Sequence, residues 1–207
     1  MSNKDLCDSQ QSFIGKSVAV LAAGSASGEL GGAERLYSGL LEGLQAIGCT
    51  AEIVSVPADE STFEKIIENY AYCSTLDLSR FDIVISTKTP TYAIKHPGHV
   101  MWLIHTVRVF DDMFYEVFQD AAPEHYLQRS KLHKLDAVAL TGVKTKFAIG
   151  HEVANRLYRW RGIRPDVIHP PLGIDGFRCD AQGDYFFLPG RLHAWKRVDR
   201  RPRHPIQ

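Results

Sequence analysis

The glycine-rich segment Gly24-Ser-Ala-Ser-Gly28-Glu-Leu-Gly31-Gly32-Ala33 stands between an apolar run and an amphipathic one. Glycines there let the backbone come close to a ligand, and a helix opening at Gly32 would offer unpaired N–H groups to an anion. A flexible connecting loop with no ligand explains the glycines equally. A dinucleotide-binding loop would need Gly-x-Gly-x-x-Gly and an acid about twenty residues on, at the end of the second strand. The glycines lack that spacing, and Glu52 begins the second predicted strand instead of ending it. A dehydrogenase is a poor fit. His105 closes the apolar run from Val100, which puts it at the carboxyl end of a predicted strand, the edge where open parallel sheets bind ligands. A lone histidine there can also be a structural hydrogen-bonder. Arg108 follows three residues on, and Arg191 and Lys196 form a separate basic pair near the C-terminus, otherwise readable as solvated surface charge. Asp111 and Asp112 are adjacent, so their side chains diverge, and a solvated face is expected of them in place of a metal or acid–base pair.

The elements that must position these residues alternate in type. Strands are predicted at 16–22, 50–56, 81–86, 100–105, 136–141 and 166–169, each a short apolar run bounded by turn residues. Helices are predicted at 33–47, 62–70, 123–134 and 144–160. The first carries Leu36, Leu40, Leu44 and Ile47 on one stripe and closes at Gly48. Such alternation predicts an α/β fold, a doubly wound and mainly parallel sheet covered on both faces. We place a polar tail over 1–15, this domain over 16–171, and a change of character over 172–207, where Tyr185–Leu188 starts a new strand.

Composition narrows the function. The 207 residues are ample for one core and marginal for two. Lys+Arg and Asp+Glu both number 24, which argues against a nucleic-acid binder held by bulk charge. Cys7, Cys49, Cys73 and Cys179 are scattered without metal-ligand spacing, so reduced thiols in a cytoplasmic protein are expected. No signal peptide is predicted at the N-terminus, and no apolar run is long enough to span a membrane. The basic segment 144–164 with Trp160 leaves open a peripheral contact with an anionic membrane, or an ordinary amphipathic cover helix.

Several motifs in order resemble glycosyltransferase family 4. Gly31-Gly32-Ala33-Glu34-Arg35 is similar to its N-terminal signature. Ser86-Thr-Lys-Thr-Pro90 through Lys95-His-Pro97, then Trp102-Leu-Ile-His105, resemble the middle of the same domain. Val167-Ile-His-Pro-Pro171, Leu188-Pro-Gly-Arg191-Leu and Lys196-Arg-Val-Asp199 resemble the crossover into a second one. The resemblance implies the GT-B fold, two Rossmann-like domains with the active site between them and the donor held mostly by the C-terminal one. It implies transfer of a sugar from a nucleotide-sugar donor to a glycan or lipid-linked acceptor, with retention of configuration and no metal or other cofactor. Gly31, Gly32, Arg191 and Lys196 would then bind the donor diphosphate, fixed cations stabilising the charge that grows on the leaving group. His105 would lie near the transferred sugar as the catalytic residue, and Arg108 on the acceptor side. Val107 stands where relatives often carry a second histidine.

The resemblance also sets an expectation about the C-terminus. The family's Glu, seven residues, Glu element is absent, no Glu following Glu152, and Lys196-Arg-Val-Asp199 runs into Arg200-Arg-Pro-Arg-His-Pro205 where a helix would follow. A truncated or frame-shifted reading frame after Asp199 is expected, leaving the chain inactive alone. Completion by a separately encoded C-terminal half, a catalytically inactive acceptor-binding module, and self-association through an unpaired strand at 185–188 are the alternatives.

Overall fold

The computed structural model describes residues 13–24, 32–171, 178, 183 and 184. The chain divides into two compact units, Met1–Pro171 and Leu172–Gln207, and the described elements all belong to the first. Six strands build its sheet: β1 (Ser17–Gly24), β2 (Thr50–Pro57), β3 (Ile83–Lys88), β4 (His99–His105), β5 (Thr145–Ala148) and β6 (Asp166–Val167). Their order is β2-β1-β3-β4-β5-β6 and every neighbouring pair is parallel. The Rossmann-like, doubly wound α/β architecture expected from the alternation is therefore present.

Burial explains why β1 reads as an unbroken apolar run. Val18, Ala19, Val20 and Leu21 all have zero exposure, because a central parallel strand is covered on both faces. Their side chains alternate between two cores. Val18 and Val20 meet helix α1 (Gly32–Ala46), which packs Leu36, Leu40 and Leu44 onto them, as the four-residue spacing predicts. Ala19 and Leu21 face the other side, with Cys73 of helix α2 (Phe63–Thr75). That second face continues over β4, where Met101 and Leu103 pack with Tyr92 and with side chains of three helices. These are α2, α4 (Pro123–Thr141) and α5 (His151–Arg161); the one-turn helix α3 (Phe114–Val117) contributes Phe114. Thr62 caps α2 by accepting the Lys65 amide at 3.2 Å. Helix α5 ends at Gly162, whose φ of +70° is the left-handed C-terminal geometry that favours glycine.

Three elements differ from expectation. The apolar run 136–141, predicted as a strand, is the last part of α4. Its continuity with the preceding turns decides this, since Leu132, Asp136 and Leu140 form one buried stripe at helical spacing while Val138 is 77% exposed. The strand falls later, at Thr145–Ala148, and displaces the start of the predicted 144–160 helix to His151. Helix α2 also runs to Thr75, past the predicted end at Tyr70.

His99 opens β4 in a buried position, its Nε2 2.8 Å from Ser86 Oγ. Burial, with the charges of His96 and Lys146, pushes its imidazolium pKa from 6.5 down to about 4. Between those values the unfolded chain binds a proton that the folded one refuses. Stability is therefore expected to fall by about 3 kcal/mol as pH drops from 6.5 to 4, with no contribution above 6.5. Urea midpoints at pH 7 and pH 4.5 check this, and His99→Gln should shrink the difference between them.

Candidate functional site

The strand order places a switch point between β1 and β3, because the chain leaves β1 for β2 on one side and returns to β3 on the other. The connections from the two strands diverge there, which opens a crevice at the carboxyl edge of the sheet. A cavity of about 840 Å³ lies at this edge. Gly24 ends β1, Pro57 ends β2, Lys88 ends β3 and His105 ends β4, and all four line it, joined by Asp59 and Glu60 from the segment after β2. Four strand termini thus converge on one opening.

The pairing of β3 with β4 sets the relation of Lys88 to His105. Ser86 pairs with Met101, but Lys88 pairs with His105, so the register shifts between them. A shift of this kind bends the strand and re-aims side chains near a site. The His105 ring is fixed by a 3.0 Å contact from Nδ1 to the Thr106 carbonyl. A carbonyl only accepts, so Nδ1 carries the proton and Nε2 is left as an acceptor. Burial lowers the imidazolium pKa, the Thr106 hydrogen bond opposes this, and the charges of Lys88, Arg108 and Arg156 lower it further. The result is a neutral imidazole that shares a cavity with an ammonium group, with Nε2 able to accept a hydroxyl proton.

Arg108 is not among the residues lining the cavity. Its guanidinium is engaged by Asp112, at 3.2 and 2.7 Å, and Asp112 is also 3.3 Å from Nε of Arg156. Gly32 opens α1 in an exposed position, and a side chain there would meet nothing within 4 Å. His105 is thus the expected site residue that the structure places in the cavity. Gly31, Arg191 and Lys196 lie outside the described residues, as do Cys7, Cys179 and the predicted strand 185–188.

The solvated face expected for Asp111 is overturned. Asp111 is 2% exposed and accepts bonds from Thr106 Oγ1 at 2.5 Å, Arg161 at 2.8 Å and His133 Nε2 at 3.1 Å. Burial raises its pKa, but the His133 bond, the Arg161 charge and the Thr106 hydroxyl prevail and hold the carboxyl below its usual range. Asp111 and Asp112 do diverge, as adjacency requires, but one turns into the core and the other pairs with arginines. Arg161 continues the network inward to Asp136, which also accepts from Tyr70 and from Tyr92, the latter at 2.6 Å. This network anchors the segment that leaves β4 immediately after His105.

Lys88 is the residue that sequence reasoning passed over. It lies in the Ser86–Pro90 motif without an assigned role, and the available signal was a lysine ending an apolar strand at the ligand-binding edge. Among the described residues no three His, Cys, Asp or Glu side chains converge as a metal site would require, and no helix is long and apolar enough to cross a membrane. Cys49 and Cys73 are free and buried. The class defined by fold and site is thus a Rossmann-like α/β domain with an open polar crevice at its switch point. Comparison with models of known protein families found no match, and comparison with curated proteins found none either.

Proposed function

We propose that this crevice serves sugar transfer from a nucleotide-sugar donor to an acceptor in polysaccharide or glycolipid assembly, as the resemblance to glycosyltransferase family 4 implies. The observation that carries the reading is the neutral His105 beside Lys88 at the switch-point edge. In the transfer, the bond from the anomeric carbon to the diphosphate oxygen breaks and a bond to the acceptor hydroxyl oxygen forms. The hydroxyl proton leaves, and the diphosphate departs with added negative charge. A neutral imidazole with a free Nε2 suits a sugar hydroxyl, and an ammonium group suits the growing charge. On this reading Gly31, Gly32, Arg191 and Lys196 belong to the donor diphosphate site and Arg108 to the acceptor side. The protein acts in the cytoplasm and meets the inner face of the membrane through its acceptor.

The test is amide-resolved NMR on the full chain, titrated with UDP-glucose, GDP-mannose and their free diphosphates, each with and without an acceptor glycan. Shifts at Gly24, Lys88 and His105 are expected with at least one donor. Nucleoside diphosphate release, lost on Lys196→Ala, would mark an active enzyme. Acceptor binding without turnover in any donor would mark a binding module. Silence at this edge with every ligand would sink the proposal.

A further inference from the structure

A second cavity, which shares no lining residue with the first, lies on the sheet face that α2 and α4 cover. Residues 89–98 join β3 to β4 with one 3-10 turn, Thr91–Ala93, where the crossovers on either side carry α2 and α4. The missing crossover helix leaves a slot between them, of about 510 Å³. Such a volume suits a small ligand. Ile67 and Ala71 of α2 form one wall, Leu135 and Val138 of α4 the other, with Ala93 and Ile94 below.

The polar groups of the slot are few, and most are already engaged. Ser74 Oγ donates to the Ala71 carbonyl at 2.7 Å, and the Tyr70 hydroxyl belongs to the Asp136 network. The His96 ring accepts the Gly98 amide at 3.1 Å and contacts the Phe81 carbonyl at 2.9 Å, which uses both its nitrogens. Two groups remain. Lys95 makes no ion pair with any described residue; Asp77 and Asp82, which line a neighbouring cavity with it, are bonded instead to Ser79 and to Ser17 and Lys16. His99 is 8% exposed and lines the slot. With Nε2 engaged by Ser86, its Nδ1 has no hydrogen-bond partner among the described residues. Nδ1 is not sealed in the core, so a ligand in the slot can reach it and supply the acceptor that no described residue supplies. No carboxylate lines the slot among the described residues, so the charge bias is positive.

We propose that this slot binds a small amphiphile, an apolar body lying between α2 and α4 with one carboxylate held by Lys95 and by His99 Nδ1. Ser86 donates its hydroxyl hydrogen to Nε2, which leaves Nδ1–H to point at the acid. The exposed Val138 and Leu135 continue the apolar wall toward the mouth.

Sodium decanoate below its micellar range and decan-1-ol, titrated into the full chain by amide NMR, test the proposal. Decanoate is expected to shift the amides of Lys95, His99 and Val138 and to bind about tenfold more tightly than the alcohol, the worth of one charge-assisted hydrogen bond. Lys95→Glu should erase that preference while the alcohol binds as before. Ala71→Phe, at an exposed position within the slot, should abolish both, and Val138→Glu should weaken decanoate alone. Preserved amide dispersion shows that each variant is folded. Equal affinity for acid and alcohol, or shifts confined to other surfaces, overturns the proposal. Concentration-dependent shifts of the slot amides without ligand would overturn it too, giving the slot to a second copy of the chain.

Discussion

Replacing Arg161 by methionine is expected to destabilise the fold by about 3–5 kcal/mol, the cost of removing one partner from a buried ion pair. The Arg161 side chain is 1% exposed and lies between Asp111 and Asp136, whose side chains are 0% and 1% exposed. Methionine fills similar volume, so the loss is electrostatic: two carboxylates would be left in the core with no cation between them. The three hydroxyls of Thr106, Tyr70 and Tyr92 soften the penalty without removing it. Replacing all three charges together by leucine and methionine should recover most of the loss, because a well-packed apolar set is often as stable as a buried charge cluster. Urea unfolding of the single and triple variants decides between them. A single variant within about 1 kcal/mol of the parent would mean that water reaches the cluster.

The same network gives an acid limb separate from that of His99. The Asp111 pKa lies below its unfolded value of 3.8. Its contribution to stability is thus complete above pH 3.8 and is lost as pH falls through the folded value, below the window in which His99 acts. Asp111→Asn should flatten only this lower limb, which acid titration of far-UV circular dichroism would show.

Much of the fold was legible because burial writes a period into the sequence. β1 reads as a strand because both its faces are covered, and α1 reads as a helix because Leu36, Leu40 and Leu44 must share one face. What local pattern could not show was the end of α4. Ala137-Val-Ala-Leu has the composition of a buried strand, and only the remote pairing of Asp136 with Arg161, twenty-five positions on, identifies its buried side. For the same reason Asp111 looked solvated, since its partners His133 and Arg161 are distant in sequence and adjacent only in the fold. His105 was legible as a strand-end residue, and the structure puts it in the crevice. Lys88 needed the order of the strands, because β3 neighbours β1 only after the chain has doubled back.

His105→Ala is expected to lower sugar transfer by about a hundredfold, the lower range for losing a positioned proton-accepting group. The figure rests on the proposed activity, so a readout independent of turnover is needed. The charge of Lys88 is one of the causes that lower the His105 pKa, after burial, and it acts from the same cavity. Lys88→Met keeps the length of the side chain and removes the charge. The His105 pKa should therefore rise toward 6.5 in that variant, visible as a displaced titration of its ring proton in NMR. In any assay that yields turnover, the acid limb of the pH profile should move upward by the same amount, because the neutral imidazole is the working form. The two shifts need to agree. A merely structural histidine, held by Thr106 and idle at Nε2, would show the displaced titration with an unmoved profile, and His105→Asn would then retain activity.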